Sequence, residues 1–526
     1  MRRILSVTVI LITLLPVASR ADDPECDWRM YGHDLTHRFS TGCSSISLTN
    51  VATTHVKWMM PTPAPVTATP SIVDGVLYVG SADGTFYAMA TDPAPGPVKP
   101  LWTFEVDDTN IHNYGRIVSS AAVEDIAGTR VVLFSGGSTL YMLRASDGFL
   151  LAKKCLDSRP IGDLRCKGSS ETIQSEVSPT VVRMPDGTIT VLTGIDFDES
   201  TMSGRAGLIA LRMHTSPWSF ETLWKLDPET QTSYTTDPTK DGVPGYAYTT
   251  DPLTYGGVGR GCGNVWSSPT VDVSRMITYF AVANCGRELL PGDVGGEGTI
   301  AADVRTGKML WRHIPRPNDT SFDPDFDFGA SPQLLPGDRV GTGGKDGIYY
   351  AYPRTDDDGV MEASELDFAA KVANGSDIGG IIGSTALGKS GGKDAIFMNS
   401  AVPFSTRDFE GSMREIFADP RQVTSLHAID ADSGELLWHA PNVFPSYASV
   451  TYANGLVYMA DTFGFSVWLY DANTGLPVWT HPVNGAPSSA PTIVGDSFYM
   501  GVGTAADPVN EAGNAAGIWA FEAVAP

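Results

Sequence analysis

Residues 354–365, Arg-Thr-Asp-Asp-Asp-Gly-Val-Met-Glu-Ala-Ser-Glu, set Asp, Asp, Gly and Glu at positions 3, 5, 6 and 12 of a twelve-residue loop. That is the spacing at which an EF-hand turns carboxylates toward calcium. Position 1 is Arg354, whose charge repels a cation where its first ligand belongs, so the stretch reads as a turn. Two other segments concentrate carboxylates: 194–200 (Gly-Ile-Asp-Phe-Asp-Glu-Ser) and 323–328 (Asp-Pro-Asp-Phe-Asp-Phe). Such groups bind hard cations or take a proton from a nearby hydroxyl, and they equally cap turns in solvated loops. The 9 histidines are scattered without i, i+4 pairing. The chain has no Gly-x-Ser-x-Gly and no nucleotide-phosphate loop, so the usual hydrolase and nucleotide-enzyme readings lack their parts.

These residues are carried by a repeat. Residues 428–438 read Ala-Ile-Asp-Ala-Asp-Ser-Gly-Glu-Leu-Leu-Trp, and close copies stand at 301–311 and 469–479, each with Trp four residues after the Gly. Looser copies lie at 142–152, where Ala152 replaces the Trp, and at 87–102 and 208–224. The Gly supplies the positive φ of a tight turn, and the Trp on an outer strand can pack between neighbouring sheets. Upstream, residues 69–89 alternate apolar and polar positions and break at Asp74-Gly75 and Asp83-Gly84, which predicts three further short strands. Unit starts fall near Thr69, Ser119, Ser178, Ser267, Ser331, Ser384, Ser446 and Ser489. Recurring four-stranded units that cannot bury both faces alone indicate a β-propeller, all-β and eight-bladed. The last unit ends before a turn-plus-Trp strand appears, and an unassigned strand bearing Trp58 precedes the first unit. The N-terminal strand is therefore expected to complete blade eight and close the ring, removing the exposed sheet ends.

Arg2-Arg3, the apolar run Ile4–Val17 and Ser19-Arg20-Ala21 read as a secretory signal peptide over 1–21, with a single propeller domain over 22–526 and a periplasmic or secreted destination. No segment reads as a membrane span. The 6 cysteines fit three disulfides of an exported chain. Sequence proximity pairs Cys26–Cys43, Cys155–Cys166 and Cys262–Cys285, with the other connectivities open. A net charge of −24 argues against nucleic-acid or anionic-membrane partners.

Through its Ala-x-Asp-x-x-Thr-Gly-x-x-x-Trp phrases, the chain resembles the quinoprotein propellers that bind pyrroloquinoline quinone (PQQ): alcohol and polyvinyl-alcohol dehydrogenases, and a non-catalytic branch that scaffolds outer-membrane protein assembly. The resemblance covers about residues 45–526. It implies PQQ and Ca²⁺ as cofactors, an alcohol substrate, and an external electron acceptor such as a cytochrome c, since no Cys-x-x-Cys-His haem motif is present.

Carried over residue by residue, the resemblance assigns Glu199 and Asn264 as calcium ligands. Asp327 becomes the catalytic base and a third ligand, with Asp325 as its neighbour and Phe326 where the family has Trp. Lys345 becomes the residue that contacts the quinone, and Trp266, Tyr246 and Tyr255 are candidates for an aromatic wall beside it. Calcium next to a quinone carbonyl acts as a Lewis acid, and a carboxylate takes the alcohol proton as hydride leaves carbon. The chain departs from the family at Thr67, where an early Glu is usual, at Arg116, three residues early, and at Ile382, which replaces a polar residue. Two functions are therefore expected to compete: an exported PQQ- and calcium-dependent alcohol dehydrogenase, and a propeller without cofactor that uses its rim loops for protein or glycan contacts.

Overall fold

The computed structural model describes residues 26–108, 114–156, 173–197, 206–250, 263–283, 297–316, 326–375, 379–401, 424–441, 446–504 and 515–524. The chain forms eight sheets in sequence order, antiparallel except for one added parallel strand in each of blades 3 and 7, an eight-bladed β-propeller. Blade 1 shows the plan: strands Ser71–Val73, Val76–Gly80, Thr85–Ala90 and Trp102–Glu105, each paired with the next. The first turn is Asp74-Gly75, with φ of 47° and 71°. That left-handed pair matches the right-handed twist of a hairpin and suits an Asp-Gly or Asn-Gly sequence; blade 7 repeats it at Asn454-Gly455, φ 48° and 80°.

Ring closure takes the expected form. Strand His55–Pro61 pairs antiparallel with Gly517–Glu522, so the chain's first long strand becomes the outer strand of blade 8. Blade 3 is wider than expected, because Thr232–Thr235 and Tyr246–Tyr248 add two strands beyond its fourth.

The repeated Trp and Gly are two halves of one contact between blades. Trp102 donates its indole N–H to Ala145 O at 2.9 Å, Trp224 to Val304 O at 3.0 Å and Trp438 to Ala472 O at 3.0 Å. In each case the ring lies on the turn Gly of the next blade. A Cβ on Gly148, Gly307 or Gly475 would stand 2.4–2.6 Å from the facing indole. Glycine is thus required twice over, for its positive φ and for the room its hydrogen leaves. Trp58 closes the circle by donating to Thr91 O of blade 1 at 2.9 Å.

Near the axis runs a second ring. First strands of neighbouring blades touch, as Ser71–Val73 does with Ala122–Ile126 on one side and Thr492–Val494 on the other. Just before these strands, backbone N–H groups donate to the hydroxyl of the next blade: Thr69 to Ser120, Ser120 to Ser178, Ser178 to Ser268, Ser268 to Ser331, Ser331 to Ser384 and Ser384 to Ser449, at 2.8–3.0 Å. Ala490 donates to Thr69 Oγ1 at 3.1 Å. Ala490 has no hydroxyl to accept in turn from blade 7. These buried donors would otherwise be unsatisfied, which explains the small hydroxyl residues at the unit starts.

Cys26–Cys43 is a disulfide, and Cys155 is also disulfide-bonded. Cys166, Cys262 and Cys285, expected in the remaining pairings, lie outside the described residues. Among the described residues no helix is long and apolar enough to cross a membrane.

Candidate functional site

In a four-stranded meander, the turn between second and third strands and the connection to the next blade emerge on one face of the disc. The other two turns emerge on the opposite face. Tyr114, Glu176, Asn264 and Asp327 lie in blade-to-blade connections, while Asp196 and Lys345 lie at the ends of second strands. All six therefore belong to one face. The calcium-loop-like stretch 354–365 joins the third and fourth strands of blade 5, Ile348–Pro353 and Phe368–Lys371, and so lies on the other face. There Arg354 binds Asp272 at 2.9 Å, and the stretch is a structural turn.

Blade 5 supplies the most tightly defined pair. Lys345 Nζ stands 2.5 Å from Asp327 Oδ2, and the Lys345 N–H donates to Asp327 O at 2.8 Å. Both residues are buried, at 8% and 1% exposure. Lys345 follows Gly343-Gly344 in a turn closed by Gly347, φ 76°. The backbone before Asp327 is fixed separately. Arg316 donates to Phe326 O at 2.9 Å and to Asp346 Oδ2 at 2.6 Å, with its guanidinium 4.9 Å from the Phe326 ring centroid. Tyr350 donates to the same Asp346 oxygen at 2.6 Å. Phe326 thus carries a cation–π contact with Arg316.

Blades 3 and 4 supply the acidic side. Asn264 is 1% exposed and exchanges backbone hydrogen bonds with Ala283 at 3.1 and 2.9 Å. Its neighbour Val265 donates to Ile195 O at 3.3 Å, which puts Asn264 beside Asp196. Gln174 donates to both Glu176 and Asp196, the latter at 3.4 Å, bringing two carboxylates to one amide. Burial, and then the charge of Asp196, push the Glu176 carboxyl well above the ordinary range, because a second negative charge in a desolvated site disfavours ionisation.

Tyr114 links the two halves. Tyr114 is 45% exposed, yet the protein crowded around its hydroxyl raises its pKa, first by desolvation and then through Glu176, with Lys345 opposing and Asp196 and Asp327 adding to the rise. Trp266 follows Asn264 by two residues and lays its ring on Gly329, where a Cβ would come within 2.2 Å; its buried indole N–H has no partner among the described residues. The arc runs from Glu176 through Asn264 and Trp266 to Asp327 and Lys345.

The sequence expectations divide accordingly. Asp327, Lys345, Asn264 and Trp266 are on this arc. Glu199, Asp325 and Tyr255 lie outside the described residues. Tyr246 is corrected: it sits in the added outermost strand of blade 3, paired with Ser233 and covered by Lys240 at 5.0 Å, so it is no wall for a ligand on the axis. Its Tyr-Ala-Tyr strand extends the blade edge instead. Ile382 packs on Gly379, and the Thr67 hydroxyl is buried without a partner among the described residues. Sequence reasoning missed Glu176, Tyr114, Arg316 and Asp346. Of these, Glu176 had a signal, since it stands two residues before the Ser178 unit start.

Comparison with known proteins agrees with this architecture. The family described as "Glucose/ethanol/alcohol dehydrogenase, beta-propeller domain", of the PQQ type, matches residues 28–345, and the one described as "Outer membrane protein assembly factor BamB" matches 409–519. A polyvinylalcohol dehydrogenase from a Pseudomonas species is 23% identical over 288 residues, 48% of this chain and 43% of that protein. The chain thus spans under half the length of that curated relative. Among solved structures, a europium-containing methanol dehydrogenase superposes with a TM-score of 0.67 at 15% identity, covering 96% of this chain and 99% of the other. The quinohemoprotein alcohol dehydrogenase ADHIIG of Pseudomonas putida HK5 superposes with 0.67 at 16% identity, covering 96% and 81%. At such identities the likeness is one of fold.

Proposed function

Since the chain belongs to the PQQ-type glucose/ethanol/alcohol dehydrogenase β-propeller family, we propose that it is an exported quinoprotein oxidoreductase, dependent on PQQ and calcium, that oxidises simple or polymeric alcohols. The observation that carries this reading is the buried Lys345–Asp327 pair at 2.5 Å, on the same face as Asn264 and the Glu176–Asp196 carboxylates.

The donor set suits a hard cation, which prefers carboxylate and amide oxygens. Among the described residues no three acidic, His or Cys side chains gather as a metal-holding group. The proposed ligands are Asn264 and Asp327 together with Glu199, and the Glu176–Asp196 pair adds carboxyl oxygens beside Asn264. When bound, PQQ supplies a carbonyl carbon that accepts hydride. Asp327 takes the alcohol's hydroxyl proton on its carboxylate, with Asp325 as its neighbour in the chain. Lys345 orients that carboxylate, and its cation would attract the cofactor's carboxylates were PQQ bound there. Trp266 offers a flat apolar surface for stacking. Electrons leave to an external acceptor such as a cytochrome c.

Reconstitution of purified protein with PQQ and Ca²⁺, followed by dye-linked alcohol oxidation, tests the proposal. Uptake of PQQ with alcohol-dependent dye reduction is expected. Failure to take up cofactor at micromolar PQQ would sink it and favour the second reading, a protein-binding scaffold, which rests on the assembly-factor match over 409–519 and on the apolar Ile382.

A further inference from the structure

Residues 28–39 lie outside the blade sheets, yet they touch six blades. Trp28 and Ile72 exchange backbone hydrogen bonds at 2.9 and 2.8 Å; then Val123 donates to Arg29 O, Val271 to Leu35 O, Leu334 to Thr36 O, Leu387 to Arg38 O and Tyr452 to Phe39 O, all at 2.8–2.9 Å. Each of these donors sits in the first strand of its blade, whose other edge is taken by the second strand. The free edge faces the axis, so the segment runs inside the central channel. Ser40–Thr41 then pairs parallel with blade 7, and Cys26–Cys43 joins the two ends of the segment. Trp28 and Phe39 are fully buried.

Tyr31 reaches from this segment to the hydroxyl ring. Its oxygen lies 3.0 Å from both Ser384 Oγ and Ser449 Oγ. Ser384 Oγ accepts the N–H of Ser331 at 3.0 Å, and Ser449 Oγ that of Ser384 at 2.8 Å. Ser331 follows Asp327 by four residues. The phenol therefore fixes the two hydroxyls on which the connections into blades 5 and 6 hang, from below the face that carries Asp327 and Lys345.

We propose that residues 28–41 are a built-in floor of the cleft and that Tyr31 is a positioning residue for the segment bearing Asp327, acting through Ser384 and Ser331. The functional part rests on the alcohol dehydrogenase reading; the structural part does not. Tyr31→Phe keeps the ring and removes the hydroxyl. Amide hydrogen exchange, measured on the protein without added cofactor, is expected to speed up roughly tenfold at 328–332 and 381–386, the change that about 1.4 kcal/mol brings, and to leave 174–180 in blade 3 unchanged. Ser384→Ala should give the same local pattern, and the double variant should add little to either single one, as for two members of one network. Unchanged exchange at Ser331 in Tyr31→Phe, or acceleration spread evenly over all blades, overturns the proposal. In cofactor-loaded protein the same variant should lower kcat with KM held. Because exchange is read without cofactor, failed PQQ uptake overturns the functional reading alone.

Discussion

Lys345 Nζ and Asp327 Oδ2 stand 2.5 Å apart in a site where Asp327 is 1% exposed, so each charge depends on the other. Breaking a buried pair by removing one partner costs up to roughly 3–5 kcal/mol, less where other groups still meet the remaining charge. Lys345→Met is therefore expected to lower unfolding free energy by up to that amount in urea melts. Asp327→Asn keeps the shape and one acceptor, so it should cost less stability while lowering alcohol oxidation by about 10²–10⁴, the usual worth of a general base. An Asn variant with near-normal turnover would remove Asp327 from the chemistry.

The Trp438–Gly475 contact permits a paired test. Gly475 has φ 69° and its added Cβ would lie 2.5 Å from the indole, whereas Gly455 has φ 80° and open space around it. Gly455→Ala should cost only the left-handed penalty, about 1–2 kcal/mol. Gly475→Ala should cost more, by the price of moving Trp438 and weakening its 3.0 Å bond to Ala472. Equal losses in denaturant melts would show that the ring does not need the glycine.

That contact also explains what could be read from the residues alone. Trp, Gly and the hydroxyl residues recur because most blades meet a neighbour through these two contacts, with Ala152 in place of the Trp in blade 2 and Ala490 in place of the hydroxyl in blade 8, so the repeat carries the geometry in plain view. Trp58 and the truncated last unit disclosed ring closure for the same reason. Asn264, Asp327 and Lys345 were singled out through the resemblance of their segments to the quinoprotein propellers, and all three lie on one face of the disc. Residues 28–41 were not legible, because their partners are free strand edges spread over six blades, and backbone bonding leaves no periodic trace in side chains. Glu176 and Tyr114 lie in irregular connections, where charge and burial depend on which loops meet. Tyr246 misled because its nearness in sequence to Asn264 does not survive the two added strands of blade 3.

The Cys26–Cys43 bond closes a short loop that includes the axial segment, with a sequence separation of 17. Chain entropy alone assigns such a crosslink about 3 kcal/mol. The variant carrying Cys26→Ala and Cys43→Ala is expected to fall by that order in thermal melts while retaining the eight-bladed sheet signature in circular dichroism. A variant as stable as the parent would mean that the backbone bonds to six blades already hold the segment in place.

Asp461 ends the second strand of blade 7, on the same face as the candidate site. It accepts the Gly464 N–H at 2.8 Å and a weaker bond from Ser466 at 3.4 Å. Burial nevertheless pushes its carboxyl from an ordinary 3.8 up to about 7, since desolvation outweighs these bonds. Between those values the folded chain holds a proton that the unfolded chain has released, so νU is less than νN and unfolding free energy falls as pH rises. Stability contributed by this group is full below about pH 4 and is lost as pH climbs through 7, a change on the order of a few kcal/mol at 1.36 kcal/mol per pKa unit. Asp461→Asn cannot ionise and keeps an acceptor for Gly464. Relative to the parent it should therefore gain stability between pH 4 and pH 8, with the difference opening mainly above pH 5. Urea melts at pH 4, 6 and 8 read this directly, and a parent–variant difference that stays flat over that range would show that Asp461 is ionised throughout.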